Sequence, residues 1–129
     1  QFIFPFSKPN IKLPKNCFFL PCSWKTGLKE LVTNADCIIC ASIWSAPIEA
    51  ALIKSIIYNG LVITSENAYS FSSEIPEGLT LSFKNESSVR FIKKVLKDKV
   101  KITKIKLQLQ LWIKEYFRKN NLENIFNFD

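Results

Sequence analysis

The residues best suited to chemistry in this chain lie between positions 41 and 49. The run Asp36-Cys37-Ile38-Ile39-Cys40-Ala41 leads into Ser42-Ile43-Trp44-Ser45-Ala46-Pro47, and Glu49 follows two residues later. The run predicts a strand over 37–41, apolar nearly throughout, as a strand buried on both faces is. Pro47 suits the first turn of a helix. Glu49 falls in the same predicted turn, where the helix dipole favours a negative side chain. The free N–H groups at such a helix start make an anion site suited to a diphosphate. A carboxylate beside them can accept two hydrogen bonds from a ribose diol. Together they point to a nucleoside diphosphate joined to a second group. Each residue also has a plainer reading. Glu49 can simply satisfy the dipole, Ser42 and Ser45 can be turn or capping residues, and Trp44 can pack rather than stack on a base or sugar.

Other chemistry is thinly supplied. The chain has no histidine, which removes the commonest general base and metal ligand. Cys37 and Cys40 form a C-x-x-C pair that zinc could share with Cys17 and Cys22. The pair sits in an apolar run with no Gly or turn residue to make a zinc knuckle, so no metal is expected. Buried free thiols in a reducing compartment are the better reading. The net charge is +7, from 18 Lys and Arg against 11 acids. Only Arg90 and Arg118 are arginines, whereas nucleic-acid readers lean on Arg, so no nucleic acid is expected. The Lys excess goes with abundant Ile and Asn and reads first as compositional bias, and second as attraction to phosphate or an anionic membrane surface.

These residues need a scaffold, and the pattern supplies one. The 129 residues suit one domain. The apolar run 37–63 is long enough to span a bilayer, but Glu49, Lys54, Pro47 and Asn59-Gly60 interrupt it. It reads as strand, helix, strand. Further strands are predicted at 1–6, 17–20, 61–64 and 79–83. Ser23 is placed as the cap of a helix carrying Trp24, Leu28, Leu31 and Val32. A helix over 50–58 stops at Asn59-Gly60. Asn85 starts another, with Val89, Ile92, Val95 and Leu96 as its stripe. A last helix is predicted over 102–119, with Ile105, Leu109, Trp112, Ile113 and Phe117 inward. This alternation predicts an α/β fold: a Rossmann-like parallel sheet with helices on both faces, ending in amphipathic helices. Ligands of such sheets bind at the carboxyl ends of the strands, where 41–49 lies.

The order of these pieces also resembles a known family. "LKELVTNADCIICAS", "PIEAAL", "GLVITSENAYSFSSEIPEGLTLSF" and "NESSVRFIKKVLKD" follow one another. They resemble the donor-binding region of GT-B retaining glycosyltransferases, where "L…L…AD…v.PS", "LEAM" and "G.PVI.T…PE.I..G..GLLV" recur. The resemblance centres on 28–81 and, with the helix after it, covers roughly half to two-thirds of the chain. Each piece is weak alone, and their order and spacing carry the likeness. It implies the C-terminal half of a GT-B fold and a nucleotide-sugar donor. Glu49 is implied to contact the ribose, and Ser42, Ser45 and Ala46 to line the donor pocket. The implied activity is glycosyl transfer to a glycan, lipid or protein acceptor, driven by electrostatic support of the departing diphosphate, with no cofactor.

The departures bear on that activity. The family often has a second Glu eight residues earlier, and Ala41 stands there. Ser65-Glu66-Asn67-Ala68-Tyr69 has no glycine where the family has a Gly-rich loop. No basic pair for the diphosphate is recognisable. The chain starts at Gln1 and has no Met, so a piece of a longer protein is expected, with the acceptor-binding part elsewhere. This segment alone is not expected to catalyse transfer. The alternatives are a catalytically inactive α/β binding module, or a basic membrane-surface or nucleic-acid binder acting through 84–119, where twelve cations stand against three acids. A cytoplasmic location is expected, with peripheral contact at the inner membrane face as an option that the resemblance adds.

Overall fold

The computed structural model describes residues 1–5, 10, 12–41, 49–65, 71–83 and 85–122. Among these residues the fold is α/β, with two parallel sheets and four α-helices. It divides into two compact units, Gln1–Asn34 and Ala35–Asp129. The strands thus fall into two sheets rather than the one the alternation predicts.

In the first unit, β1 (Phe2–Phe4) pairs in parallel with β2 (Cys17–Phe19). Ser23 does start a helical segment, but not one continuous helix. A 3₁₀ turn over Trp24–Thr26 ends at Gly27, whose φ is 109°. α1 (Leu28–Asn34) then begins afresh. A left-handed glycine is the usual stop signal after a helical turn. It separates Trp24 from Leu28 and Val32, so the predicted single face is broken.

In the second unit, β3 (Ile38–Cys40), β4 (Val62–Ser65) and β5 (Leu81–Phe83) form a parallel sheet in that order. β5 is shorter than predicted because the Leu79 N–H closes a turn onto the Pro76 carbonyl at 3.1 Å. Between β3 and β4 lies α2 (Ala50–Tyr58). After β5 come α3 (Glu86–Val95) and α4 (Lys99–Lys119). Asn85 caps α3 as expected, accepting from the Ser88 N–H at 3.1 Å. α4 starts earlier than the apolar periodicity indicates, because Asp98 accepts from the Lys101 N–H at 3.0 Å and satisfies its first turn.

Strand alternation sorts the core onto two faces. Val62 packs with Leu52, Ile53 and Ile56 of α2, with Phe71 and Ile75, and with Leu109, Ile113 and Phe117 of α4. Its neighbours Leu61 and Ile63 pack with Leu81, with Ile92 and Val95 of α3, and with Ile105 of α4. Successive side chains on a strand point to opposite faces, so helices cover both sides of this sheet. Each fully buried Leu, Ile or Phe contributes about 1.5–3 kcal/mol. Trp112 and Tyr116 pack on the α2 side next to Phe71, with Phe71 and Tyr116 edge to face at 5.4 Å.

The turn after α2 is tightly tied. Asn59, almost wholly buried, donates to the Ala35 carbonyl at 2.7 Å and accepts from the Leu61 N–H at 3.1 Å. Gly60 follows with φ 78°, and a Cβ there would lie 2.9 Å from the Lys106 carbonyl oxygen. Gln110 of α4 donates to the Ile57 carbonyl at 3.0 Å. These bonds fix where α2 ends and β4 begins, and therefore where the start of α2 stands relative to β3.

Candidate functional site

The carboxyl ends of β3, β4 and β5 carry a row of small polar side chains. The pairing registers place Cys40 beside Thr64 and Thr64 beside Ser82. All three share the parity of Val62, which puts them on the α2 face. Thr64 is buried, and the Ser82 hydroxyl is buried without a hydrogen-bond partner among the described residues. The reading of the sequence did not foresee this row. It was visible as a matching parity in three short runs, but only once the strand registers were known.

Glu49 stands at the start of α2, next to this row. It is the N-cap residue, with extended backbone (φ −110°, ψ 92°), and not a member of the first turn as the position of Pro47 implies. Its backbone carbonyl accepts the first helical hydrogen bond, from Ile53 at 2.9 Å. Its carboxylate makes no capping bond to the helix. A Glu side chain is too long to fold back onto its own second or third N–H group as Asn or Asp does. The half-buried position pushes the Glu49 carboxyl above its ordinary pKa, because burial penalises the charged form.

Cys40 reports the same environment. Burial is the main cause raising its thiol, with the Glu49 charge adding to it and a hydrogen bond to Ser55 opposing it. The thiol donates to the Ser55 hydroxyl at 3.5 Å, and that hydroxyl donates to the Ala51 carbonyl at 2.7 Å. A part-buried thiol whose pKa is raised is a poor nucleophile and suits a packing role. Cys37 is also raised, first by burial and then by the Asp36 charge. It packs on the Leu61 side, whereas Cys40 packs on the Val62 side. The C-x-x-C spacing therefore sends the two thiols to opposite faces and does not bring them to a common point. All four cysteines are free.

Of the residues singled out in the sequence, Glu49 is thus located. Ser42, Trp44, Ser45, Ala46 and Pro47 lie outside the described residues. Ala41, at the position of the family's other Glu, is exposed at the end of β3. A crevice of about 570 Å³ lies elsewhere, at the junction of α3 and α4, and Glu49 does not line it. No helix among the described residues is long and apolar enough to cross a membrane.

The chain matches no family model, no curated protein and no solved structure.

Proposed function

We propose that residues 35–129 are the donor-binding part of a GT-B-type glycosyltransferase, taking a nucleoside diphosphate sugar at the carboxyl ends of β3 and β4. The observation that carries the reading is Glu49: a carboxylate held at a helix start beside parallel strands, partly desolvated, and not used to cap the helix it precedes. Such a group is available to a ribose diol, and low solvation strengthens each hydrogen bond it accepts. The N–H groups opening α2 face the same end of the sheet and suit the diphosphate. The parallel order β3-β4-β5, with helices on both faces, is compatible with a Rossmann-like half of this kind. Transfer would draw on an acceptor such as a glycan or lipid-linked sugar, with the sheet supplying the donor.

Calorimetric titration of the chain with UDP, GDP and ADP tests the reading. One of them should bind, and Glu49→Ala should weaken it about tenfold to a hundredfold, the worth of a charged hydrogen-bond pair. If no nucleoside diphosphate binds or raises the melting temperature even at millimolar concentration, the proposal fails. If one binds and Glu49→Ala leaves it unchanged, the donor lies elsewhere.

A further inference from the structure

The geometry points to the outer face of α4, with the α3–α4 elbow, as a docking surface for an anionic lipid membrane, and this does not rest on the donor reading. α4 has two apolar stripes. One holds Ile105, Leu109, Ile113 and Phe117, all buried. The other, on the opposite side of the helix, holds Val100, Leu107 and Leu111, exposed at 81%, 58% and 58%. At 100° per residue these three fall within a narrow sector. Lys104, Lys114 and Arg118 fall on or beside the same sector and are exposed. The apolar stripe runs about 17 Å from Val100 to Leu111 at the rise of an α-helix, and about 27 Å if Arg118 is included.

At its start the stripe meets the crevice of about 570 Å³, which Lys94, Lys97, Lys99 and Lys101 line together with Phe91 and Val100. Phe91 is exposed, and the Lys101 ammonium lies 4.9 Å from its ring centre. The acids of this stretch are each occupied by their own helix. Glu86 pairs with Arg90 at 3.7 Å, Asp98 caps α4, and Glu115 pairs with Lys119 at 2.9 Å. Within this described stretch the excess positive charge is therefore not cancelled by its own acids.

Apolar side chains alternating with lysines along one exposed helix face match a headgroup–acyl boundary. The apolar groups enter the boundary while the ammonium groups meet lipid phosphates. A second copy of the chain fits poorly, because it would set the same cations against each other. Nucleic acid offers phosphates but nothing to cover Leu107 and Leu111. A soluble phosphate compound has the same shortcoming. The helix lies on such a surface rather than crossing it, being too charged to span.

Co-sedimentation of the chain with vesicles tests this. It should bind phosphatidylcholine vesicles containing phosphatidylglycerol, bind pure phosphatidylcholine poorly, and be released by high salt. Inorganic phosphate at the same phosphate concentration should not displace it. Leu107→Ser with Leu111→Ser should lower partitioning by about tenfold or more with the circular dichroism unchanged. Lys104→Gln and Lys114→Gln should each lower it about fivefold. The proposal is overturned by equal binding to neutral vesicles or by binding that survives both leucine substitutions. It is equally overturned by a chain that retains a duplex DNA probe or self-associates through this face while leaving anionic vesicles alone. Glu49→Ala should not change vesicle binding, so failure here and failure of the donor reading are separate results.

Discussion

β1 and β2 pair Phe2 with Cys17 and Phe4 with Phe19, and their apolar side chains remain largely exposed, Phe2 at 48%. β4 is also a short apolar strand in a parallel sheet, yet Leu61, Val62 and Ile63 are almost wholly buried. Both sheets satisfy strand backbones in the same way. The difference is the layers around them. β4 has a partner on each edge, α2 and α4 on one face, and α3 and α4 on the other. In the first unit Val32 is the only buried residue of α1, and two paired strands alone cannot shield their own faces. Parallel pairing supplies geometry. Burial comes from helices laid on the sheet.

The sharpest way to break this contrast is a matched pair of truncations. Phe117→Ala should cost about 3–5 kcal/mol in urea unfolding, because it opens a cavity among α2, β4 and α4. Phe2→Ala should stay within about 0.5 kcal/mol. Comparable losses at both sites would mean that β1 and β2 are covered in solution.

Glycines sharpen the same contrast. Gly60→Ala should cost about 2 kcal/mol or more, since it combines a left-handed φ with the Lys106 carbonyl 2.9 Å from the new methyl. Gly27→Ala has a similar φ, but nothing lies within 4 Å of its Cβ position, so about 1 kcal/mol is expected. Thermal melts in which Gly27→Ala is the worse variant would reverse the assignment of packing.

The smallest effects separate the helix starts inside the packed unit. Asn85→Ala should cost about 1 kcal/mol, because it removes a cap bond. Glu49→Gln should change stability by less than about 0.5 kcal/mol at neutral pH. Its signature is the pH dependence. The folded chain holds the Glu49 proton more tightly than the unfolded chain, so ionisation favours unfolding. Stability should therefore fall slightly as pH rises from the ordinary carboxylate pKa to the raised one, and this slope should vanish in Glu49→Gln. Donor affinity, if carried by the ionised form, should disappear on acidification at a higher pH than an ordinary Glu would give.

Much of the packed unit was legible in the sequence because its signals are local. Asn85 before an apolar stripe, Asn59-Gly60 after one, and Ile105, Leu109, Ile113 and Phe117 at helical spacing each name their own role. Gly27 was harder: it is tolerated in helices, and only its φ showed that it ends one. The division into two sheets depends on pairing, which no single strand encodes. Leu107 and Leu111 look like core residues in any composition count, but the helical spacing that turns Ile105, Leu109, Ile113 and Phe117 inward already sets them on the opposite side. At the candidate site, Glu49 was legible as a helix-start acid. Its N-cap backbone, and the Cys40, Thr64 and Ser82 row beside it, depended on register.

α4 also has a consequence for how the chain is made. It supplies Ile105 to one face of the sheet and Phe117 to the other, yet it follows every strand and every other described helix in the chain. While a ribosome is still extending the polypeptide toward residue 117, β3, β4 and β5 can pair and α2 and α3 can pack on them, but each face still lacks the side chains that α4 contributes. The second unit therefore completes its fold only once residue 117 has been made, and until then the apolar side chains that α4 covers on the two faces stay open.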